Sequence, residues 1–186
     1  MLLHFRLRSN KTLTQAVELG GKVLSPVVDM PNVGRFATVM DPQGGVFAAF
    51  EPADLEATPG HDSKTVAKEF TWHELATTDA EGAWTFYAAL FGWGKGEAMD
   101  MGPMGIYQLF NTGTHDIGGI FDKPAEMPMT AWVHYTRVDD VDAAAVRVTE
   151  LGGKVVNGPM DVPGGDRIVQ GIDPQGAFFA LASTVS

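Results

Sequence analysis

Glu18-Leu19-Gly20-Gly21-Lys22-Val23 recurs as Glu150-Leu151-Gly152-Gly153-Lys154-Val155, and Asp41-Pro42-Gln43-Gly44 recurs as Asp173-Pro174-Gln175-Gly176. Both pairs stand 132 residues apart (18 to 150, 41 to 173), and Asp29, Pro31 and Arg35 meet Asp161, Pro163 and Arg167 at the same offset. Register kept through so many positions marks a structural repeat.

Upstream, with a gap of two residues, Leu2-Leu3-His4-Phe5 faces Trp132-Val133-His134-Tyr135, and both read as short strands. In the later copy Asp139-Asp140 can cap a helix, along which Val141, Ala144, Ala145, Val148 and Leu151 recur at the helical period. Gly152-Gly153 stops it, because glycine accepts the left-handed conformation beyond a helix C-terminus. The next strands are joined through Asp-Pro-Gln-Gly, where proline presets the first central φ of a type I turn. Each module therefore runs strand, helix, then three strands.

A further module spans about 70–122. Phe70-Thr71-Trp72-His73-Glu74-Leu75 is its strand, Thr78 with Glu81 predicts a capping box, and Ala83, Phe86, Tyr87 and Leu90 form one apolar helix face ended by Gly92. Stretches around 93–100, 105–111 and 116–121 supply three more strands. Residues 51–69, polar and holding Pro52, Pro59 and Gly60, are the linker.

The 186 residues carry a net charge of -10 and no cysteine. The acidity disfavours nucleic acid and anionic membrane surfaces as partners. The lack of thiols excludes thiolate zinc sites, thiol catalysis and disulfides. No apolar run approaches the roughly 20 residues of a membrane helix, and the N-terminus lacks the features of a signal peptide. The expectation is a soluble, cytoplasmic protein. No phosphate-binding glycine loop of the Walker or Rossmann kind occurs, and no serine has a nucleophile-elbow context. Asp139, Asp140 and Asp142 are explained by helix capping, without a calcium loop.

Phe86-Tyr87 followed by Leu90-Phe91-Gly92-Trp93 resembles the signature of vicinal oxygen chelate modules, the glyoxalase, bleomycin-resistance and extradiol dioxygenase superfamily. Glu-Leu-Gly-Gly-Lys-Val and Asp-Pro-Gln-Gly resemble the matching pieces of a second module. The resemblance implies an α+β fold of repeated βαβββ modules, two of which pair into a cupped mixed sheet with helices on the convex face. Residues 70–186 would then form a complete two-module domain, 51–69 the linker, and 1–50 a single module whose partner is missing. Its unpaired edges and apolar face lead to the expectation of a homodimer through 1–50, the alternative being that it folds back on its own chain.

The resemblance also implies two classes of function. One is metal-assisted lyase, isomerase or oxygenase chemistry on a small oxygenated molecule, with a divalent metal held by His and Glu of first and last strands. The other is a metal-free cup that sequesters a drug or metabolite; a scaffold without a small-molecule role is the third reading. At the best alignment the ligand positions fall on Trp72, Val133 and Ala180, so a conventional ligand set is missing. A slip of one residue would bring His73 and His134 to metal-binding positions; otherwise they are structural, under a helix. Strand alternation places Phe70, Trp72 and Glu74 on one face, and a carboxyl in an apolar setting suits general acid–base work. Glu74 is the expected catalytic residue. Its alternative is a strand carboxylate at the rim or paired with Arg137 or Arg167. Trp72, Tyr107, Trp132, Tyr135 and Arg167 are the expected ligand-binding residues, with core packing as the alternative for the aromatics. Met99, Met101 and Met104 read as an adaptable rim or irregular packing, and His61 and His115 as solvated.

Overall fold

The computed structural model describes residues 10–53, 68–113 and 115–185; the strand expected at Leu2-Leu3-His4-Phe5 and most of the linker, including His61, lie outside the described residues. The chain forms two compact units, residues 10–53 with 74–132 and residues 68–73 with 133–185. In chain order the first elements are α1 (Asn10–Glu18), β1 (Lys22–Val23), β2 (Val28–Met30), β3 (Gly34–Met40) and β4 (Val46–Pro52). Next come β5 (Phe70–Thr77), α2 (Ala80–Phe91), β6 (Gly94–Asp100), β7 (Ile106–Asn111) and β8 (Asp116–Asp122). The last set is β9 (Ala131–Arg137), α3 (Val141–Glu150), β10 (Lys154–Asp161), β11 (Asp166–Ile172) and β12 (Phe178–Thr184). Among the described residues, β5 to β8 with α2 and β9 to β12 with α3 each run strand, helix, then three strands, and the fold is α+β.

In the first unit, β1, β2 and β4 all pair with β3, antiparallel. Ala37 faces Ala49 and Val39 faces Phe47 in this register. These four side chains are buried in one core with Ala16 of α1, Phe86, Tyr87 and Leu90 of α2, and Leu75, Phe110 and Ile120. Each large apolar side chain buried there is worth about 1.5–3 kcal/mol. The apolar face of the first module is therefore covered by its own chain. These are contacts of the kind that the fold-back alternative expects, and they do not bear on an interface with a second chain.

The duplicated turn explains part of this docking. Asp41 Oδ1 accepts from the backbone N–H of Gln43 (2.9 Å) and Gly45 (2.7 Å), and Asp173 Oδ1 accepts from Gln175 (2.9 Å) and Ala177 (2.8 Å). The copies differ in their second oxygen. Asp41 is 1% exposed, and its Oδ2 accepts from the Tyr87 hydroxyl at 2.8 Å, which in turn accepts from the Trp132 indole N–H at 3.0 Å. The Thr130 hydroxyl also donates to the Gln43 carbonyl (2.7 Å).

Helix ends follow the sequence with two corrections. Asp140 caps α3, accepting from Asp142 and Ala143, and Gly92 ends α2 at φ 71°. The N-cap of α2 is Asp79, whose carboxylate accepts from Gly82 N–H, so the expected Thr78–Glu81 box is displaced by one residue; aspartate is the stronger cap. Leu151, counted in the apolar row of α3, is 72% exposed because the helix has already ended at Glu150.

In the second unit the strand order is β10-β11-β12-β9-β5. β12 runs parallel to β9 (Ala180 opposite Tyr135) while β10, β11 and β12 pair antiparallel, so the pairing is mixed. One face carries α3, with Val141, Ala145 and Val169 buried together beside Val155 and Leu181. The other buries Val133, Tyr135, Ala180 and Ala182 against Trp72 and Ile168. In the first unit β5, β8, β7 and β6 follow one another. No helix among the described residues is long and apolar enough to cross a membrane.

Candidate active site

In the first unit Tyr107 of β7 lies opposite Phe121 of β8, and their rings stack at 5.6 Å and 25°. The Tyr107 ring extends over Gly119 of β8, where any Cβ would overlap its Cε1 and Cζ. Its hydroxyl donates to Glu74 Oε1 of β5 at 2.9 Å. A half-buried carboxylate is thus oriented by a phenol that is itself held by a stacked ring. A carboxylate in this setting can take a proton from a bound molecule. In the second unit Arg137 is paired with Asp166 (2.9 Å), and Arg167 with Asp142 (2.9 Å) and Asp161 (2.7 Å). Met99 lies opposite Tyr107, and Met104 is 61% exposed in the one-turn segment Gly102–Met104.

In the second unit the Tyr135 hydroxyl accepts from Gln170 Nε2 at 2.7 Å, and Gln170 Oε1 accepts from Asn157 Nδ2 at 3.2 Å. Gln170 and Tyr135 are both in register with Ala180 of the strand between them, so their bond passes over its methyl group. Trp72 packs on the same apolar face. Gln170, Asn157, Gly119 and Phe121 were not singled out by sequence reasoning. Gln170 was within reach of it, because the repeat fixes the register and alternation then sets the face.

The other expected residues sit elsewhere. Trp132 belongs to the core of the first unit, its ring 5.3 Å from Tyr87 and 6.1 Å from both Trp93 and Phe110. Arg167 is two residues from Val169, on the α3 side of β11, and bridges Asp161 across the β10–β11 pair to Asp142 of the helix. The repeat-related Arg35 approaches Asp29 (3.6 Å) in the same way, which identifies a recurring strand-to-strand ion pair. Arg137 forks onto Asp166 with both terminal nitrogens and donates to Thr71 and Thr184.

A divalent metal is the cofactor the fold implies, and the residues do not fit one at the expected positions. Trp72, Val133 and Ala180 present indole, isopropyl and methyl groups, and Gly119 stands on β8, the last strand of its module, 61 residues before Ala180 on β12. No group of three or more His, Asp or Glu able to hold a metal occurs among the described residues. His73 and His134 meet each other instead, Nδ1 to Nδ1 at 2.8 Å with rings crossed at 68°. One ring must donate its N–H and the other accept, which requires a neutral acceptor. Burial, with His73 second, pulls His134 down to about 3.

That depression sets a pH dependence. The unfolded chain protonates His134 near 6.5, whereas the folded one does so only near 3. The stabilisation is present above the unfolded value and is lost as pH falls towards 3, by at most about 1.4 kcal/mol per pH unit. Urea midpoints between pH 7 and 4 should fall for the wild type and fall less steeply for His134→Gln. Parallel curves would show that the imidazole is not the group taking up the proton.

The family model of the Glyoxalase/Bleomycin resistance protein/Dioxygenase superfamily matches residues 69–181. The anthracycline biosynthesis protein DauV of Streptomyces sp. (strain C5) is 32% identical over 184 residues, covering 96% of this chain and 64% of its own length. DnrV of Streptomyces peucetius, also named an anthracycline biosynthesis protein, is 32% identical with the same coverage. The chain thus spans just under two thirds of these two relatives. The Mn(II)-bound glyoxalase from Novosphingobium aromaticivorans superposes with a TM-score of 0.64 at 17% identity, over 95% of this chain and 59% of that one, a likeness of fold alone. Matched over more than half its length and built from βαβββ modules, the chain belongs to the glyoxalase/bleomycin resistance protein/dioxygenase superfamily, that of the vicinal oxygen chelate fold.

Proposed function

We propose that this glyoxalase-like protein binds a planar, oxygen-bearing aromatic molecule and that Glu74 takes a proton from it. The hydrogen bond from Tyr107 to Glu74 is the observation that carries this reading. The phenol holds the carboxylate in one orientation, as a positioned proton acceptor requires. DauV and DnrV are named anthracycline biosynthesis proteins, and those names suggest the substrate class. Within the same unit as Glu74, the stacked rings of Tyr107 and Phe121 supply flat apolar surface. The proposal takes residues 70–186 as the part that carries the chemistry, with 1–50 as an accessory module and 51–69 as linker.

A second reading, sequestration without turnover, is favoured by the missing metal donors at positions 72, 133 and 180. Two probes separate the readings. Quenching of tryptophan fluorescence by 1,8-dihydroxyanthraquinone measures binding, and deuterium exchange at the methylene of anthrone measures proton abstraction. The proposal expects a dissociation constant in the micromolar range, about -8 kcal/mol, together with accelerated exchange. Binding without exchange selects sequestration, and neither binding nor exchange sinks both.

A further inference from the structure

Gly119 has no backbone reason to be glycine. It is absent from the residues with positive φ, and it pairs regularly with Leu109 in β8. What requires glycine is space: a Cβ there would collide with Cε1, Cζ and Oη of Tyr107. Neighbouring strands lie about 4.8 Å apart, so Tyr107 on β7 has to lie across the whole width of β8 to reach Glu74 on β5. Its ring is flanked by Phe121 at 5.6 Å, which leaves little freedom to lift away. In the last module the position 61 residues on holds Ala180 (119 to 180), and there an amide, not a ring, crosses the strand.

We propose that Gly119 is a positioning residue: its lack of a side chain lets the Tyr107 ring lie flat and deliver its hydroxyl to Glu74. The functional part rests on the reading of Glu74 given above; the steric part stands alone. A methyl group at 119 lifts the ring and breaks the bond from the Tyr107 hydroxyl to Glu74. Gly119 touches no ligand and acts through Tyr107.

The test is a double-mutant cycle on the full chain with Gly119→Ala, Tyr107→Ser and the double variant. Binding of 1,8-dihydroxyanthraquinone is read beside the carboxyl 13C shift of Glu74. Gly119→Ala should weaken binding by about tenfold in the native background and by less than about twofold where Tyr107 is already serine. It should also move the Glu74 carboxyl resonance, as Tyr107→Ser does. Equal weakening in both backgrounds overturns the proposal, and so does an unmoved Glu74 resonance. If the dye binds no variant, including the wild type, the functional reading falls, and the resonance decides the positioning role by itself. If Gly119→Ala does not fold, the double variant should fold, since serine vacates the space. Failure of both to fold overturns the steric argument.

Discussion

Glu74→Gln is expected to slow anthrone exchange by about 10²–10⁴-fold, the usual contribution of a positioned general base. Glutamine keeps the shape of the side chain, and its carbonyl oxygen can still accept from the Tyr107 hydroxyl, now 2.9 Å from Glu74 Oε1. What it loses is the capacity to accept a proton. Binding of the dye should therefore change by less than about tenfold while exchange collapses, so the loss falls on the rate constant rather than on affinity. Tyr107→Phe should show a milder fall, because the base remains but is no longer oriented. A Glu74→Gln protein that exchanges anthrone at the wild-type rate would remove this carboxylate from the chemistry.

Asp41→Ala should destabilise the folded chain by about 3–5 kcal/mol, since three donors lose their acceptor in a dry setting and each such loss costs about 1–3 kcal/mol. The donors are the N–H groups of Gln43 and Gly45 and the Tyr87 hydroxyl. Burial pushes the Asp41 carboxyl above its ordinary value and these hydrogen bonds draw it back, so the group is held against its desolvation by its partners. The duplicated turn supplies an internal control. Asp173 serves the same two backbone donors but is partly exposed, and its loss should cost about 1 kcal/mol. Urea unfolding of the two variants measures both. Equal losses would mean that the bond to Tyr87 adds nothing and that the turn alone matters.

The repeat made the modules legible, because caps, glycine stops and Asp-Pro-Gln-Gly turns act through neighbours in sequence. The side of the sheet on which a side chain falls was less legible, since it depends on register. Trp132 and Tyr135 are three residues apart on β9 and serve different environments, one bonded to Tyr87 and the other to Gln170. The ion pair of Arg167 was within reach of the sequence, as its copy at Arg35 keeps the same aspartate partner. The pairing of Tyr107 with Glu74 spans 33 residues and depends on an absent side chain at a third position, which no local pattern encodes. The covering of the first module stood between two alternatives for a related reason. Its apolar face announces that something must cover it, not which segment does.

A turn that needs one carboxylate oxygen leaves the other unassigned. When such a hairpin is duplicated, every copy inherits a spare acceptor at the same corner. In one copy here it receives the hydroxyl of a tyrosine 46 residues downstream (41 to 87), and in the other the corner is partly exposed. Duplication of this module therefore copies a latent attachment point along with the fold. A chain could gain a module and, by placing one tyrosine, fasten it without redesigning the hairpin that folds it.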